Sequence, residues 1–341
     1  MKKGLTFILP TMNRRDYICR AVDCCLACES ELLAPHVLVI DGMSDDGSFE
    51  ILQERFGSDP RVELIQHPRI GFQRTAYFGA MQARTEYATF MYDDDVITPY
   101  FSDMFHRMLK EERGFVMGYG ESCNVEKVYP FQPIESYQAY QKHDAALAYF
   151  GCIDKVKYFN LPVSPICLIV KTEHLKRWAS FSHDFAKDVP IRQYFMIDRN
   201  IGPDIILYLS GILNEPETAL FAQAVVGQFS EHTDSMSVGY GKLHLQIGYW
   251  LGRLWAYEEI CRQGNKKAAA RCAAFLLLFG GKILLRMPLS PDRKWFWKFC
   301  GEIAKVKLTA LREGFYLSML GSIPTAIADR MATKRMAPLP K

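Results

Sequence analysis

Hydrophobic and polar residues follow two alternating periods along the first 120 positions of the chain. Short apolar runs predict buried strands, and stretches with apolar residues three or four positions apart predict helices. The predicted strands are 4–9, 36–41, 61–66, 87–92 and 115–120. The predicted helices are 14–29, 48–56, 71–83 and 99–112. This regular alternation predicts an α/β fold with right-handed crossovers and a mainly parallel central sheet.

The pattern changes after residue 120. Residues 121–164 are irregular and aromatic-rich, which indicates an insertion near the ligand site, and a strand resumes at 164–170. Helical spacing follows at 172–180 and 203–213, and from about His244 onward the chain is helical, basic and aromatic. We therefore expect one domain over residues 1–240, with halves 1–120 and 121–240. A helical C-terminal region is expected over residues 241–341.

The small net charge of +3 conceals a strong asymmetry. From Arg253 to the C-terminus there are 17 Lys and Arg against 6 Asp and Glu, a balance of +11. The preceding 252 residues hold the other 24 and 32, a balance of −8. An acidic body with a basic tail suggests an anionic partner for the tail.

Targeting and redox signals are weak. The apolar part after Met1 ends at Pro10, too short for a signal peptide. The longest apolar run, 272–281, is shorter than the roughly 20 residues that span a bilayer. The 10 cysteines are expected to be reduced thiols, and those of 19–28 to be core residues of one helix. The expected location is cytoplasmic.

Ligands of open α/β sheets bind beyond the carboxyl ends of the strands. The polar loops there are PTMNRR, DGMSDDGS, HPRIG and the three aspartates 93–95. If the fourth strand continues through these aspartates, Asp93 and Asp95 face one way and Asp94 the other. Two converging carboxylates suit a divalent cation such as Mg²⁺ or Mn²⁺. The competing interpretation is an acidic turn that caps the helix starting near Pro99.

Taken together, these four loops resemble the motifs of the family 2 glycosyltransferases of the GT-A fold. That family reads P-x-x-N after the first strand and D-D-G-S-x-D-G-S after the second. A Gly/Arg loop precedes its third helix, and D-x-D follows its fourth strand. The resemblance covers about residues 4 to 100, in the right order and spacing. It implies a three-layer GT-A fold and inverting transfer of a sugar from a nucleotide sugar.

The resemblance also implies roles for single residues. Those that stand where the family contacts the donor or the metal ion are Thr11, Asn13, Arg14, Asp41, Gly71, Arg74, Asp93, Asp94 and Asp95. Thr11, Asn13 and Arg14 stand in the loop that lines the nucleotide pocket. Asp41 stands where a carboxylate accepts from the base, and Asp93 and Asp95 where the D-x-D meets ribose and metal-bound diphosphate.

The sequence departs from the family pattern at several positions. Gly42 and Met43 replace the usual Asp and Gly of the second loop. Tyr92 stands where a D-x-D-D motif has its first Asp, which leaves a second register in which Asp94 and Asp95 act together. Ala76 and Tyr77 replace the usual Arg-Asn pair of the third loop, and Arg74 is one helical turn earlier. These departures bear on base specificity more than on the reaction.

Two further residues are assigned in the second half of the chain. The family base is an Asp or Glu at the start of a helix, and Asp204 is the best match, ahead of three weaker candidates, Asp184, Asp188 and Asp198. Its competing role is a carboxylate that satisfies the helix dipole. The family often has a His ahead of a loop that closes on the diphosphate. His232 is therefore a candidate third metal ligand. The competing interpretation is a surface or core histidine without a role in binding.

Cofactors and partners follow from the same resemblance. We expect a divalent metal ion, Mg²⁺ or Mn²⁺, and a nucleotide-sugar donor, with a UDP-sugar favoured over GDP and dTDP sugars. The acceptor is expected to be a glycan or a lipid-linked molecule in polysaccharide or glycolipid synthesis. The basic, aromatic stretches 276–286 and 293–300 favour contact with an anionic membrane on its inner face, over a helical bundle with a solvated basic face. No nucleic-acid motif accompanies the charge, and the sequence does not predict an oligomeric state.

Two other functions compete with glycosyl transfer. A nucleotidyltransferase that makes nucleotide sugars needs a glycine-rich loop after the first strand, and LPTMNRR contains no glycine. A non-catalytic sugar-binding protein on the same fold is the other alternative. The complete acidic set argues against it, while Tyr92 and the altered third loop leave it open.

Overall fold

The computed structural model describes residues 2–124, 130–152, 164–231 and 241–333. The chain divides into two compact units. The first comprises Met1–Ala139, Pro162–Phe181 and Leu220–Val238, and the second comprises Tyr140–Leu161, Ser182–Ala219 and Gly239–Lys341. The domain boundary predicted near residue 240 stays a prediction.

A nine-stranded sheet forms the centre of the α/β part, in the order β3-β2-β1-β4-β8-β6-β9-β5, with β7 paired to β9. The strands are β1 Lys3–Thr11, β2 Leu33–Asp41, β3 Val62–Gln66, β4 Tyr87–Phe90, β5 Val96–Ile97, β6 Phe115–Asn124, β7 Tyr137–Gln141, β8 Leu168–Lys171 and β9 Thr218–Glu231. The helices along the same part of the chain are α1 Ile18–Leu26, α2 Ser48–Phe56, α3 Phe72–Gln82, α4 Phe101–Lys110, α5 Lys142–Ala148 and α6 Thr172–Ala186.

The predicted fold class is confirmed. Strand β1 pairs in parallel with β2 and β4, β2 with β3, and β6 with β9. The antiparallel pairs involve β8, with β4 and β6 on its two sides, and β5 with β9. All five strands expected in the first 120 residues are present, with ends shifted by a few residues.

Two expected strands are shorter in the structure. The run 164–170 begins with a 3₁₀ turn at Pro165–Cys167, and only Leu168–Lys171 forms β8. Strand β4 ends at Phe90 rather than at residue 92. The three aspartates therefore do not continue the strand: the Asp95 N–H donates to the Tyr92 carbonyl at 3.3 Å, which closes a turn. The alternation argument for Asp93 and Asp95 was wrong on this point.

Apolar burial explains why the first unit folds this way. Leu5, Phe7 and Leu9 of β1 are fully buried against residues of α1 and α4 in one core cluster. The cysteines of the C-x-x-C sequence, Cys25 and Cys28, belong to this core, and burial raises the pKa of both thiols. A thiol with a raised pKa is a poor nucleophile and metal ligand. The expectation that these are core residues is confirmed for Cys25 and Cys28, although Cys28 lies two residues beyond the end of α1.

The second unit is helical. Its elements include α7 Pro190–Arg192, which continues as a π-helical turn through Asp198, and α8 Pro203–Asn214. Within the described residues 241–333, four helices follow: α9 Lys242–Arg262, α10 Lys266–Arg286, α11 Phe296–Arg312 and α12 Tyr316–Thr333. Glycines allow α8 and α9 to approach closely, since a Cβ at Gly202 would lie 2.4 Å from the Gly248 carbonyl oxygen. The predicted helical C-terminal region is confirmed.

One described helix, Lys266–Leu289, is long and apolar enough to cross a membrane by length and composition, with a mean hydropathy of 1.7. The count of consecutive apolar residues in the sequence had missed it, because Lys282 and Arg286 interrupt the run. Buried residues along it, including Ala269, Cys272 and Ile283, pack inside the helical unit. The buried helix of a folded core has the same composition, so this property alone does not assign a membrane span.

Candidate functional site

Four polar loops meet at one edge of the sheet because the strands before them are in register. Thr11 at the end of β1 pairs with Asp41 at the end of β2, and Asp41 pairs with Gln66 at the end of β3. On the other side of β1, Ile8 pairs with Phe90, the last residue of β4. The loops that the sequence singled out therefore lie side by side, as carboxyl-end topology predicts.

Hydrogen bonds of Asn13 join the loop after β1 to the loop after β2. Its side-chain amide donates to the Asp45 carboxylate at 2.9 Å, and the Asp45 N–H donates to the Asn13 side-chain oxygen at 3.0 Å. The Asn13 N–H donates to the Ser44 hydroxyl. Asn13 itself has a φ of 56°, a left-handed conformation that asparagine tolerates better than most residues. In this structure Asn13 shapes the pocket wall, and contact with a nucleotide stays a prediction.

Asp41 is fully buried at the base of the site. Its two carboxylate oxygens accept from the N–H and the hydroxyl of Ser44, three residues later in the same loop. This bonding satisfies Asp41 inside its own turn. The assigned contact with a nucleotide base would require part of this bonding to open.

The third loop brings cations to the edge. The Arg69 guanidinium donates to the Met43 carbonyl at 2.7 Å and to the Asp45 carboxylate at 2.8 Å, tying the third loop to the second. Gly71 has φ 90° and ψ 150°, and a Cβ there would meet no atom within 4 Å. Only glycine adopts that conformation readily, and the open space suits close approach of a ligand to the backbone. Arg74 follows on the first turn of α3, where it donates to the Ile70 carbonyl.

The fourth loop is the turn of three aspartates. Asp93 forms an ion pair with Arg14, with the Nε and Oδ1 atoms 3.7 Å apart. The buried Asp95 carboxylate accepts from the N–H of Ser230 on β9 at 3.0 Å. Asp94 presents its carbonyl to the Arg20 guanidinium at 2.8 Å and to the Ser230 hydroxyl. The turn is thus held by β9, α1 and the loop after β1.

Burial and mutual repulsion make negative charge in this turn energetically costly. Burial, followed by the charge of Asp94, raises the pKa of Asp93 to about 7, against the opposing effects of Thr11 and Arg14. The same two causes raise the pKa of Asp95 well above its usual range. Carboxylates that are costly to ionise alone gain from a bound cation.

Sequence reasoning missed the two residues that hold this turn, Arg20 and Ser230. Arg20 lies on the helix α1, and Ser230 lies 136 residues beyond Asp94. Neither belongs to a motif, and only the β9 pairing brings Ser230 to the turn. Arg69 belongs to the loop sequence HPRIG, which contains no signal for its bonds to the second loop.

Tyr92 has a packing role that accounts for its departure from the D-x-D-D pattern. Its ring packs edge-on against Phe72 at the start of α3, with the ring centroids 5.5 Å apart. An aspartate could not supply that contact. The carboxylates of this loop are therefore the three that follow Tyr92.

Asp204 lies in the second unit, as the second residue of α8. Its carboxylate accepts from the Ile205 N–H at 2.9 Å. Burial raises the pKa of Asp204 to about 6, partly offset by that bond and by the charge of Arg253. Its role as the base stays a prediction.

Neighbours of Asp204 line a cavity in the second unit. Arg253 and Tyr249 of α9 both interact electrostatically with Asp204. They also line a cavity of about 350 Å³ together with Phe150, Phe275 and Phe279. Burial lowers the pKa of Arg253 to about 10, and its Nε atom donates to the Tyr149 carbonyl.

The described residues do not contain a complete set of metal ligands. The structure has no group of three or more His, Cys, Asp or Glu side chains placed to hold a metal ion within residues 2–124, 130–152, 164–231 and 241–333. His232, the assigned third ligand, lies outside the described residues. The carboxylates of 93–95 would hold a cation whose remaining ligands come from elsewhere, such as substrate phosphate oxygens and water.

Comparison with known proteins finds one matching family model. Residues 6–163, just under half of the chain, match the family model described as "Glycosyl transferase family 2". That stretch contains all four loops of the sheet edge. A search of curated proteins finds no match.

Solved structures of TarS from S. aureus have a similar fold. TarS 1–349 in complex with UDP-GlcNAc has a TM-score of 0.59 at 14% identity, over 97% of this chain and 92% of that chain. TarS 1–349 in complex with UDP gives 0.58 at 14% identity, over 98% and 92%. A longer TarS structure gives 0.56 at 15% identity, and this chain covers 54% of it. At these identities the likeness concerns the fold.

Proposed function

We propose that this chain, whose residues 6–163 match the family model described as "Glycosyl transferase family 2", carries out a metal-dependent, inverting sugar transfer. The donor is a nucleotide diphosphate sugar, and the acceptor is a hydroxyl of a glycan or of a lipid-linked molecule. The observation that carries the proposal is the turn of Asp93, Asp94 and Asp95 beside the loops that follow β1, β2 and β3.

The donor is proposed to be a UDP-sugar. The structures of similar fold include TarS complexes with UDP-GlcNAc and with UDP, which supports a uracil base over guanine or thymine. Arg14, Arg69 and Arg74 lie on the loops around the edge and supply positive charge for a diphosphate. Gly71 leaves its backbone accessible to the same group.

The carboxylates of the turn are proposed to hold Mg²⁺ or Mn²⁺. Asp93 and Asp95 carry raised pKa values from burial and from the charge of Asp94, so a cation would relieve an existing electrostatic cost. When bound, a divalent ion would neutralise charge that develops on the departing diphosphate. Arg20 and Ser230 would fix the turn in place through their bonds to Asp94.

The acceptor step is proposed to use Asp204 as the base. A carboxylate with a pKa of about 6 is ionised at neutral pH and still basic enough to take a hydroxyl proton. The nearby aromatic rings and Arg253 of the same unit offer stacking and charge to an acceptor. A role in polysaccharide or glycolipid synthesis, in the cytoplasm beside the membrane, belongs to the same proposal.

Nucleotide-dependent melting of the full chain tests the donor and the metal together. With Mn²⁺ present, UDP is expected to raise the Tm by roughly 3–10 °C, GDP and dTDP less, and EDTA should remove the shift. Asp95→Ala should abolish it. The control is Asp23→Asn, an exposed aspartate paired with Arg55, which should keep the full shift.

Turnover separates the remaining functions. Hydrolysis of a panel of UDP-sugars with metal supports glycosyl transfer. A UDP-induced shift with no turnover of any donor or acceptor would support a sugar-binding protein instead. Release of pyrophosphate from a nucleoside triphosphate and a sugar phosphate would support a nucleotidyltransferase. If no nucleoside diphosphate shifts the Tm with metal present, the glycosyltransferase mechanism proposed here is contradicted.

A further inference from the structure

Three large apolar side chains are exposed at one end of the helical unit. Leu285 lies in the last turn of α10, Leu289 in the 3₁₀ turn after it, and Trp297 in the first turn of α11. Their exposed fractions are 83%, 94% and 81%. We call residues 282–298, which join the end of α10 to the start of α11, the apolar tip. Single exposed apolar residues are ordinary, but three within 13 positions, nearly uncovered, indicate a contact surface.

The apolar tip is also strongly basic. Among its 17 residues it has five cations and one acidic residue, a formal balance of +4. The cations are Lys282, Arg286, Arg293, Lys294 and Lys298. The acidic residue, Asp292, is buried, and its carboxylate accepts from the Nδ1 atom of the His244 ring at 2.8 Å. Its charge is therefore satisfied inside the unit. The outward charge of the tip is therefore positive.

Aromatic and cationic groups alternate at the tip. The ammonium of Lys294 lies 4.9 Å from the ring centroid of Tyr194, and that of Lys298 lies 5.7 Å from the ring of Trp295. Apolar side chains that point outward, flanked by Lys, Arg and Trp, are the composition of interfacial membrane anchors. A protein partner would supply carboxylates for the cations. An anionic lipid surface accounts for the cations and also for the three uncovered apolar side chains beside them.

We propose that the apolar tip docks on the surface of an anionic lipid bilayer, with Leu285, Leu289 and Trp297 inserted among the headgroups. The cations around them would contact lipid phosphates and acidic headgroups. The proposal concerns a partner of the second unit and does not depend on which donor the first unit binds. It deepens the membrane contact expected from the basic C-terminal sequence by naming the residues that insert.

Co-sedimentation with vesicles tests the docking. The full chain is expected to bind vesicles of phosphatidylcholine mixed with phosphatidylglycerol and to remain free with phosphatidylcholine alone. Each of Leu289→Ser and Trp297→Ser should lower the partition coefficient on the order of tenfold. Arg293→Gln with Lys298→Gln should lower it at about 0.1 M salt and have a smaller effect at about 1 M salt, where charges are screened.

Matched controls come from another exposed apolar group of the same unit, which comprises Leu308 and Leu311 of α11 and Leu317 of α12. Leu317 is 81% exposed near the start of α12, and the 17 residues of α11 place it about 25 Å from the tip along that helix. Leu317→Ser and Lys307→Gln should leave vesicle binding unchanged.

Equal binding to neutral and anionic vesicles, or equal loss from Leu317→Ser and Leu289→Ser, would overturn the proposal. The proposal would also be overturned if the parent chain did not bind vesicles but formed a concentration-dependent dimer that Leu289→Ser abolishes. UDP-induced melting of the same variants should be unchanged, so failure here is distinct from failure of the proposed transfer.

Discussion

Asp204 is a carboxylate subject to opposing influences. Its position in the first turn of α8 and the bond from the Ile205 N–H favour the ionised form, as does Arg253. Burial favours the neutral form more strongly, and the result is a pKa of about 6. General bases work best with a pKa near the operating pH, because they are then both ionised and basic.

The pH dependence of turnover should report this group. We expect kcat/KM for sugar transfer to rise with pH through about 6 and then to level off, since only ionised Asp204 can accept the acceptor proton. Asp204→Asn should lower kcat by about 10²–10⁴-fold and remove that rise. Asp184→Asn is the control, because Asp184 is exposed and pairs only with Lys187 among the described partners. An unchanged pH profile in Asp204→Asn would remove Asp204 from the mechanism.

Stability should move in the opposite direction to activity. Between the ordinary pKa of 3.8 and about 6, folded Asp204 holds a proton that the unfolded chain has lost. Its contribution to stability therefore decreases as pH rises through that window and is least favourable above it. At pH 8, Asp204→Asn should accordingly raise the Tm while lowering kcat, and melting curves of the two proteins measure the first effect.

At the scale of single residues, the sequence identified the acidic turn but not its supports. Asp93, Asp94 and Asp95 could be predicted because their loop and three others, in order along the chain, together resemble the family motifs. Arg20 and Ser230 could not, since an Arg on an amphipathic helix and a Ser on a strand have many ordinary roles. Their bonds to Asp94 arise only from tertiary structure.

At the scale of elements, periodicity predicted strands well and their directions poorly. A buried apolar run such as that of β8 has the same hydrophobic pattern whether the neighbouring strands are parallel or antiparallel to it. Its antiparallel place between β4 and β6 depends on chain reversals outside the run. The end of β4 was misplaced for a related reason: the apolar pattern continues through Met91, while the backbone bond from Asp95 to Tyr92 already forms a turn.

Two glycines around α3 have separable roles. Gly71 precedes the helix with φ 90° and open space, so Gly71→Ala introduces backbone strain of about 1–2 kcal/mol without a clash. We expect weaker UDP binding and a small decrease in Tm, because the alanine shifts the loop that faces the diphosphate. Isothermal titration with UDP and Mn²⁺, together with melting curves, measures both effects.

Gly79 within α3 provides the contrast. A Cβ there would lie 2.6 Å from Cγ2 of Ile8 on β1, so Gly79→Ala clashes in the core. It should lower the Tm by several degrees, with a cost of roughly 1–3 kcal/mol, while the surviving folded protein keeps its UDP affinity. A Gly71→Ala variant that binds UDP as tightly as the parent would show that this loop does not approach the donor.

At the scale of the whole molecule, the second unit draws on segments that are distant in sequence. It combines Ser182–Ala219 with the C-terminal helices from Gly239 onward. Hydrophobic periodicity predicts each helix but does not indicate which segments associate, because that choice depends on side-chain contacts between them. One such contact is polar and buried, and it involves Arg192 of α7 and Glu302 of α11.

The Arg192–Glu302 pair should make a large contribution to the stability of the second unit. Arg192 and Glu302 have side-chain exposures of 8% and 4%, and the guanidinium donates to the carboxylate at 2.9 Å from Nε and 2.6 Å from its NH2 group. Arg192→Met removes the guanidinium, which also contacts Glu258 at 3.4 Å. Among the described residues, the buried Glu302 carboxylate then keeps Lys305 as its ion-pair partner. We expect a loss of about 3–5 kcal/mol in the free energy of unfolding, measured by urea denaturation.

The double variant Arg192→Met/Glu302→Leu separates the net stabilisation by the ion pair from the destabilisation caused by one buried, unpaired charge. Because it removes both charges and keeps apolar volume, it should recover most of the stability lost in Arg192→Met. Arg312→Met is the control, since its pair with Glu313 is exposed and should contribute less than about 1 kcal/mol. If the effects of Arg192→Met and Glu302→Leu simply add, the two side chains are not coupled. The association of α7 with α11 would then rest on apolar contacts alone.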